Sequence, residues 1–188
     1  MKKINKNSII VLLVIFFLVP NLFVQGSYVK LTSVRASQIN STLPVRLKIP
    51  KIKINATLEQ VGLTADGAVG VPKGILNAAW FKKSVRPGEN GSAIIDGHFG
   101  RWKNGKPAIF NNLFKLRKGD RVYVEDDAGK SITFIVRESR LYNQYDEAAE
   151  VFDLSDNKAH LNLITCEGIW DKISKSYSKR LVVFTDKE

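Results

Sequence analysis

The chain has 188 residues, of which 44% are hydrophobic and 25% charged, and its formal net charge is +11. This length fits one ordinary domain plus an extension, and the composition excludes an intrinsically disordered protein. The positive charge suits an anionic lipid or cell-wall polymer, whereas nucleic-acid binding would require a zinc-finger or aromatic RNA-binding motif that the sequence lacks. The single cysteine excludes an intramolecular disulfide and a cysteine-rich metal site.

A hydrophobic segment stands near the N-terminus. Residues Ile9–Val19 are all apolar, and three lysines lie among the six residues at the start of the chain. This pattern predicts a single-pass signal anchor with its basic end in the cytoplasm and the remainder outside the cell. A cleaved signal peptide is the alternative. The predicted divisions are residues 1–26 for the anchor or signal, 27–43 for a polar linker and 44–188 for a globular domain.

The globular region consists mainly of short alternating segments separated by turn residues, a pattern that indicates a β-barrel or β-sandwich. Helical signal is confined to Ile109–Leu116, which predicts one or two turns ended by Gly119. The predicted strands are residues 45–49, 52–54, 92–96, 121–125, 131–136, 160–166 and 180–185.

Cys166 stands at the predicted end of a strand, before the turn signal Glu167-Gly168. A thiol needs a neighbouring base or cation to act as a nucleophile. His160 precedes Cys166 on the same predicted strand and would lie roughly 20 Å away, so we predict a structural or exposed role for it. His98 follows an apolar strand and lies between glycines, which leave room for a substrate backbone.

Arg180 supplies the cation, since it is predicted to open the last strand 14 residues after Cys166. Two strands joined by such a loop can be neighbours, and a guanidinium beside the thiol can donate to a carbonyl oxygen as it becomes an oxyanion. Considered singly, His98 is better explained as an inert loop histidine, and Arg180 is compatible with an ordinary surface arginine.

Three motifs together resemble the sortase family: Asp96-Gly97-His98, Leu163-Ile164-Thr165-Cys166 and Arg180-Leu181-Val182-Val183. The resemblance extends from about Pro44 to Thr185. The segments Pro44–Pro50, Val61-Gly62-Leu63 and Asp66-Gly67 are most similar to the class F group. Asn162 departs from the threonine that begins the family's Thr-Leu-x-Thr-Cys strand.

The resemblance implies an eight-stranded β-barrel and a cysteine transpeptidase. Such enzymes cut a Leu-Pro-x-Thr-Gly-like sorting signal on secreted proteins between Thr and Gly, and an amine of a cell-wall precursor or a pilin resolves the thioacyl intermediate. Carried over by position, Cys166 is the nucleophile, His98 the proton carrier and Arg180 the residue that holds substrate and oxyanion. Thr165 is expected to line the substrate site.

Three other functions have to be compared with this one. An L,D-transpeptidase has His and Gly immediately around its cysteine, where this chain has Thr165 and Glu167. A papain-like protease has its cysteine before its histidine, the reverse of the order here. The non-enzymatic alternative is a membrane-anchored extracellular β-barrel binding module with Cys166 merely buried, and an alkylatable thiol would distinguish the enzyme from it.

Calcium is the metal to consider, because some sortases bind it through loop carboxylates. The acidic loop residues of this chain have no EF-hand pattern, so we interpret them as charged turns and predict no cofactor. They are Asp126, Asp127, Asp146, Glu147 and Glu150.

Overall fold

The computed structural model of the protein describes residues 42–65, 67–102, 105–152 and 156–188. All of them belong to one compact unit, Asn40–Glu188. The predicted anchor or signal, residues 1–26, and all but the last two residues of the linker, 27–43, lie outside the described residues. Within the described ranges, no helix has the length and apolar character needed to cross a membrane.

Eight β-strands form a closed barrel in the order β1-β2-β3-β4-β7-β8-β6-β5, which confirms the predicted barrel. The pairs β2–β3 and β4–β7 are parallel and the other neighbours are antiparallel. The strands are β1 Pro44–Ile49, β2 Ile54–Val61, β3 Ala78–Phe81, β4 Gly91–Gly97, β5 Arg121–Asp126, β6 Ser131–Asn143, β7 Ala159–Asp171 and β8 Ser176–Lys187.

The two faces of β7 and β8 pack into different clusters. Because successive side chains of a strand point to opposite faces, Leu161 and Leu163 of β7 join the barrel interior around the fully buried Phe110. On the outer face, Val182 and Phe184 of β8 pack in a second cluster with buried residues that include Val151. This outer face is the one that carries Cys166, since Cys166 is three residues from Leu163.

Helical structure in the described ranges is limited to three short 3-10 helices, Pro50–Ile52, Leu113–Lys115 and Ala149–Val151. The second lies within the predicted segment Ile109–Leu116, although it is a single tight turn. The first replaces part of a predicted strand: Lys53 has the left-handed φ of 58°, so residues 52–54 do not continue extended.

The strand of Cys166 is longer than the sequence indicated. β7 continues to Asp171 through a bulge between Glu167 and Trp170, and Gly168 adopts a φ of 87° there. β8 correspondingly begins at Ser176 rather than Arg180. The Glu167-Gly168 pair therefore marks a bulge rather than a turn, because a glycine in this region of φ lets a strand accommodate an extra residue without ending.

Candidate active site

Cys166 and Arg180 are directly opposite each other across the antiparallel β7–β8 pair. Opposed residues of neighbouring strands project from the same face with Cβ atoms about 5 Å apart. Lys179 is opposite Glu167 instead, so it projects from the other face of the sheet. The register thus selects Arg180 as the cation beside the thiol.

Arg180 is held by groups near the tip of the β7–β8 hairpin. Its Nη1 donates to the carbonyl oxygens of Tyr177 and Lys179, both at 2.9 Å, and its Nη2 donates to Ser176 Oγ at 3.0 Å. The side chain is half-buried. These bonds fix the planar guanidinium at the edge of the cavity that it lines together with Cys166.

His98 follows β4 and is placed by close packing of the preceding glycine. A Cβ atom on Gly97 would lie 2.5 Å from the ring of Phe110, so only glycine fits there. The Phe110 amide donates to the His98 carbonyl at 3.0 Å, and the His98 Nε2 is 2.7 Å from the Pro72 carbonyl oxygen. Because a carbonyl can only accept, Nε2 carries a proton, which leaves Nδ1 as the nitrogen that can take up and release a proton.

One cavity of about 570 Å³ brings the predicted catalytic residues together. Cys166, His98 and Arg180 all line it. Its wall is largely apolar and is contributed by the loop after β2, the segment between β6 and β7, and the outer faces of β7 and β8. The apolar residues are Ala68, Val69, Val71, Ala148, Val151, Phe152, Ile164 and Val182.

Thr165 has a supporting position rather than a place in the cavity wall. Its side chain is fully buried, and its Oγ1 donates to the Gly97 carbonyl at 2.6 Å. This bond joins β7 to β4 between Cys166 and His98. The predicted substrate contact at Thr165 does not fit this geometry, because a strand residue next to an outward-pointing cysteine points into the barrel.

Asn162, the departure from the family motif, anchors one wall of the cavity. Its side chain is 2% exposed, and Nδ2 donates to the Val151 carbonyl at 2.7 Å. Val151 ends the 3-10 helix Ala149–Val151 and lines the cavity. The amide therefore holds the segment between β6 and β7 against the strand that carries Cys166.

An aromatic group connects the two sides of the site. Tyr177 of β8 makes edge-to-face contacts with Phe99, which follows His98, and with Trp170 of β7, with ring centroids 5.2 and 5.1 Å apart. Such pairs typically contribute about 0.5–1.5 kcal/mol beyond burial of their area. They hold the hairpin tip beside the loop of His98.

Burial raises the pKa of the Cys166 thiol, although the positive charge of Arg180 opposes this and the Asp96 carboxyl reinforces it. The resting form near neutral pH is therefore the protonated thiol. Asp96 lines the same cavity, and burial raises its pKa to about 7 against the opposing effects of Arg180 and the Gly97 amide.

The sequence pattern predicted no role for Asp96, although the residue belongs to the motif Asp96-Gly97-His98. The available signal was its position: an acidic residue ends an otherwise apolar strand and precedes the histidine by two residues, hence on the same face.

His160 does not line this cavity, and its contacts are those expected of a structural residue. It is 8% exposed, with Nδ1 2.8 Å from Asp186 and Nε2 2.8 Å from Asp156. His160 pairs with Ser92 of β4 and with Asp186 of β8. It lies near the start of β7, six residues before Cys166.

The acidic turns have hydrogen-bonding partners of their own. Asp126 accepts from the amides of Ala128 and Lys130, and Asp146 accepts from the Asn143 amide. In the part of the chain that the structure describes, no three His, Cys, Asp or Glu side chains are grouped so as to hold a metal ion. These contacts are those of charged turns that stabilise their own backbone.

Comparison with known proteins agrees with this geometry. The family model described as "Sortase domain" matches residues 47–188. No curated protein matches the chain.

Several solved structures have the same fold. Sortase C-1 from Actinomyces oris has 20% identity and a TM-score of 0.61, with 77% of this chain and 74% of that chain covered. Sortase C from Clostridium perfringens SM101 has 19% identity and a TM-score of 0.56, with 79% and 71% covered. A lid mutant of sortase A from Corynebacterium diphtheriae has 20% identity and a TM-score of 0.59, with 78% and 70% covered.

These structural similarities concern the fold, because sequence identity is low. The family model adds the sequence relationship, since it covers most of the chain and includes β4, β7 and β8, the strands of the cavity. The chain therefore belongs to the sortase family of cysteine transpeptidases.

Proposed function

We propose that this transpeptidase cuts a Leu-Pro-x-Thr-Gly-like sorting signal on secreted proteins and transfers the acyl fragment to an amine of the cell wall or of a pilin. Cys166 is the nucleophile, His98 the proton carrier and Arg180 the stabiliser of developing charge. The observation that carries the proposal is the direct pairing of Cys166 with Arg180 beside a cavity that His98 also lines.

The reaction begins from the protonated thiol that burial favours. Cys166 Sγ attacks the threonine carbonyl carbon while its proton passes to His98 Nδ1, and the oxygen that becomes negative accepts hydrogen bonds from the Arg180 guanidinium. The carbon–nitrogen bond then breaks, and His98 returns the proton to the leaving glycine amine. A thioester between Cys166 and the threonine acyl group remains.

The second half reverses these roles. The acceptor amine attacks the thioester carbon and loses a proton to His98, and the carbon–sulfur bond breaks as Cys166 recovers a proton. Water in place of the amine would give hydrolysis. The apolar wall beside Cys166 favours the amine pathway, since an apolar peptide segment bound there excludes water from the thioester.

The substrate preference follows from the shape and chemistry of the cavity. A wall built from Val69, Val71, Ile164 and Val182 suits the leucine and proline side chains of an extended peptide. The threonine carbonyl would then lie over Cys166, and the polar residues at this end of the cavity would meet the peptide backbone.

We also propose that the chain is class F-like and that residues 1–26 keep it at the cell membrane with the catalytic domain outside. Support comes from the sequence alone: Pro44–Pro50 resembles the class F group, and basic residues precede the apolar segment Ile9–Val19. Cell fractionation should recover the full chain in the membrane, with the catalytic domain accessible to external protease. A secreted product starting near Ser27 would contradict the anchor.

Mass spectrometry of the purified full chain tests the transpeptidase assignment. Incubation with a sorting-signal peptide should add the mass of the peptide up to threonine to wild type, and Cys166→Ala should add none. A peptide with its threonine–glycine bond replaced by a non-cleavable linkage is the matched substrate control. Continued turnover by Cys166→Ala would overturn the proposal, and so would a Cys166 thiol that remains inert to alkylation in folded protein.

A further inference from the structure

Asp96 brings into the cavity a half-buried carboxyl group that the proposed mechanism does not use. Asp96 belongs to β4, which runs parallel to β7, and it pairs with Ile164, two residues before Cys166. The bond from Thr165 Oγ1 to the Gly97 carbonyl fixes the two strands together at this point. This 2.6 Å hydrogen bond joins the sequence neighbours of the two residues, since Gly97 follows Asp96 and Thr165 precedes Cys166.

The charge on Asp96 affects both catalytic partners. Arg180 favours its ionised form, whereas the ionised carboxylate opposes ionisation of Cys166. Burial brings the pKa of Asp96 to about 7, so its charge changes near neutral pH. Near neutrality the carboxyl group therefore sets whether the positive charge of Arg180 is partly neutralised.

The electrostatic effect of Asp96 on Arg180 and Cys166 depends on which other charged groups lie near Asp96. On β3 the opposed residue is the uncharged Ala79. Arg180 and Asp96 act on the pKa of the Cys166 thiol in opposite directions, Arg180 lowering it and Asp96 raising it. The other titratable groups that line the cavity are Cys166 of β7, Arg180 of β8, His98 after β4, Tyr142 of β6 and Asp146 after β6.

We propose that Asp96 is a positioning residue for acyl transfer, whose protonated form leaves Arg180 free for the oxyanion and whose ionised form restrains Cys166. This inference rests on the proposed function, because it assumes that Cys166 is the nucleophile. The physical reason is charge: a carboxylate in the cavity attracts the guanidinium and repels both the thiolate and the oxyanion. A neutral side chain of the same size at position 96 removes that competition.

Thiol alkylation across pH 5.5–9 measures the effect without turnover. The full chain is treated with iodoacetamide as wild type, Asp96→Asn and Asp127→Asn. At pH 8 we expect Asp96→Asn to react at least about threefold faster than wild type, because each unit by which the thiol pKa falls raises the thiolate fraction about tenfold. At pH 5.5, where wild-type Asp96 is already protonated, the two should react alike.

Asp127→Asn is the matched control. It removes one carboxylate from the turn between β5 and β6, and its amide oxygen can still accept the hydrogen bond from the Leu43 amide. Its alkylation should follow wild type at every pH. A similar acceleration in both variants would overturn the inference, since the effect would then reflect net charge rather than the position of Asp96.

Acyl-enzyme formation with a sorting-signal peptide is the second measurement. The ratio of the Asp96→Asn rate to the wild-type rate should rise from about one at pH 5.5 to at least about threefold at pH 8.5. Asp96→Glu restores a carboxylate and should restore the wild-type pH dependence. Should Asp96→Asn fail to fold, Asp96→Ser supplies a second neutral side chain, and a pH dependence identical to that of wild type in this variant would overturn the inference, because a merely structural Asp96 predicts reduced rates with an unchanged pH dependence.

The outcomes separate this inference from the proposed function. Turnover that survives Cys166→Ala overturns both. A dead Cys166→Ala variant together with identical pH profiles for Asp96→Asn and wild type overturns the role of Asp96 alone.

Discussion

At the residue scale, the site depends on which of two adjacent cations faces the thiol. Arg180 is opposite Cys166 and half-buried, whereas Lys179 is opposite Glu167 and exposed. A guanidinium offers a planar fork of donors that can hold a substrate carbonyl and an oxyanion together, but an ammonium group acts as a point charge. The roles of these neighbours can therefore be distinguished by substitution.

We expect Arg180→Ala to lower the rate of acyl-enzyme formation by about 10²–10³, the usual loss when one oxyanion donor is removed. Arg180→Lys should recover part of this loss, and Lys179→Ala should remain near wild type. Single-turnover kinetics with a sorting-signal peptide measure all three. An intact rate in Arg180→Ala combined with a crippled Lys179→Ala would mean that the β7–β8 register differs from the one described.

The two histidines give a second contrast. His98→Ala should reduce turnover by about 10²-fold or more, because it removes the proton carrier. His160→Ala should keep its turnover and lose some stability, since it removes a buried ring that bridges Asp186 and Asp156. Steady-state assays and urea unfolding of both variants provide the measurements, and loss of turnover in a fully folded His160→Ala would contradict this assignment.

At the element scale, two threonines inside the barrel make equivalent bonds at different places. Thr165 Oγ1 donates to the Gly97 carbonyl at 2.6 Å, and Thr185 Oγ1 donates to the Leu161 carbonyl at 2.7 Å. Both side chains are fully buried. Only the first bond joins the strand of Cys166 to the strand that leads into His98.

Thr165→Val and Thr185→Val should therefore destabilise the protein to a similar extent, by about 1–3 kcal/mol, because each leaves a buried carbonyl without its donor. Only Thr165→Val should also slow acyl-enzyme formation, since it loosens β4 against β7 beside the thiol. Urea unfolding and single-turnover assays test the pair. Equal effects on rate would show that Thr165 contributes to stability alone.

Much of the barrel could be predicted from alternation, and the exceptions have physical causes. Segments such as Arg121–Asp126 bury one face, so their polar and apolar residues alternate. β3, Ala78–Phe81, was missed because all its side chains are buried and its sequence has no period. The apparent alternation at 52–54 failed because Lys53 is left-handed, a local conformation that the pattern does not encode.

The catalytic residues of the candidate site could be predicted from the sequence, but two of its other features could not. The positions of Cys166, His98 and Arg180 around one cavity followed from motifs and spacing. The continuation of β7 through a bulge at Gly168 could not be distinguished from a turn, because glycine with positive φ serves in both. Asp96 was missed because its raised pKa depends on burial by distant segments rather than on its neighbours in sequence.

At the scale of the whole molecule, carboxyl groups act on stability in two opposite directions. Glu59, Glu138 and Asp156 have lowered pKa values because they accept hydrogen bonds, respectively from the Lys73 amide, Arg140 and His160. A group with a lowered pKa contributes stability that is present above its unfolded pKa and is lost as pH falls through its folded pKa. These carboxylates therefore stabilise the barrel above about pH 4.

Asp96 has the opposite sign, because its pKa is raised from 3.8 to about 7 in the folded protein. The stability associated with its neutral form is complete below pH 3.8 and is lost as pH rises through about 7. Between about pH 4 and pH 7 the melting temperature of wild type should consequently fall relative to that of Asp96→Asn, and above about pH 7 the difference should stay constant. Asp127→Asn should follow wild type over the whole range. Thermal unfolding by circular dichroism between pH 3 and 9 makes the comparison, and an unchanged difference between wild type and Asp96→Asn from pH 4 to 7 would show that Asp96 is not a group whose burial opposes folding.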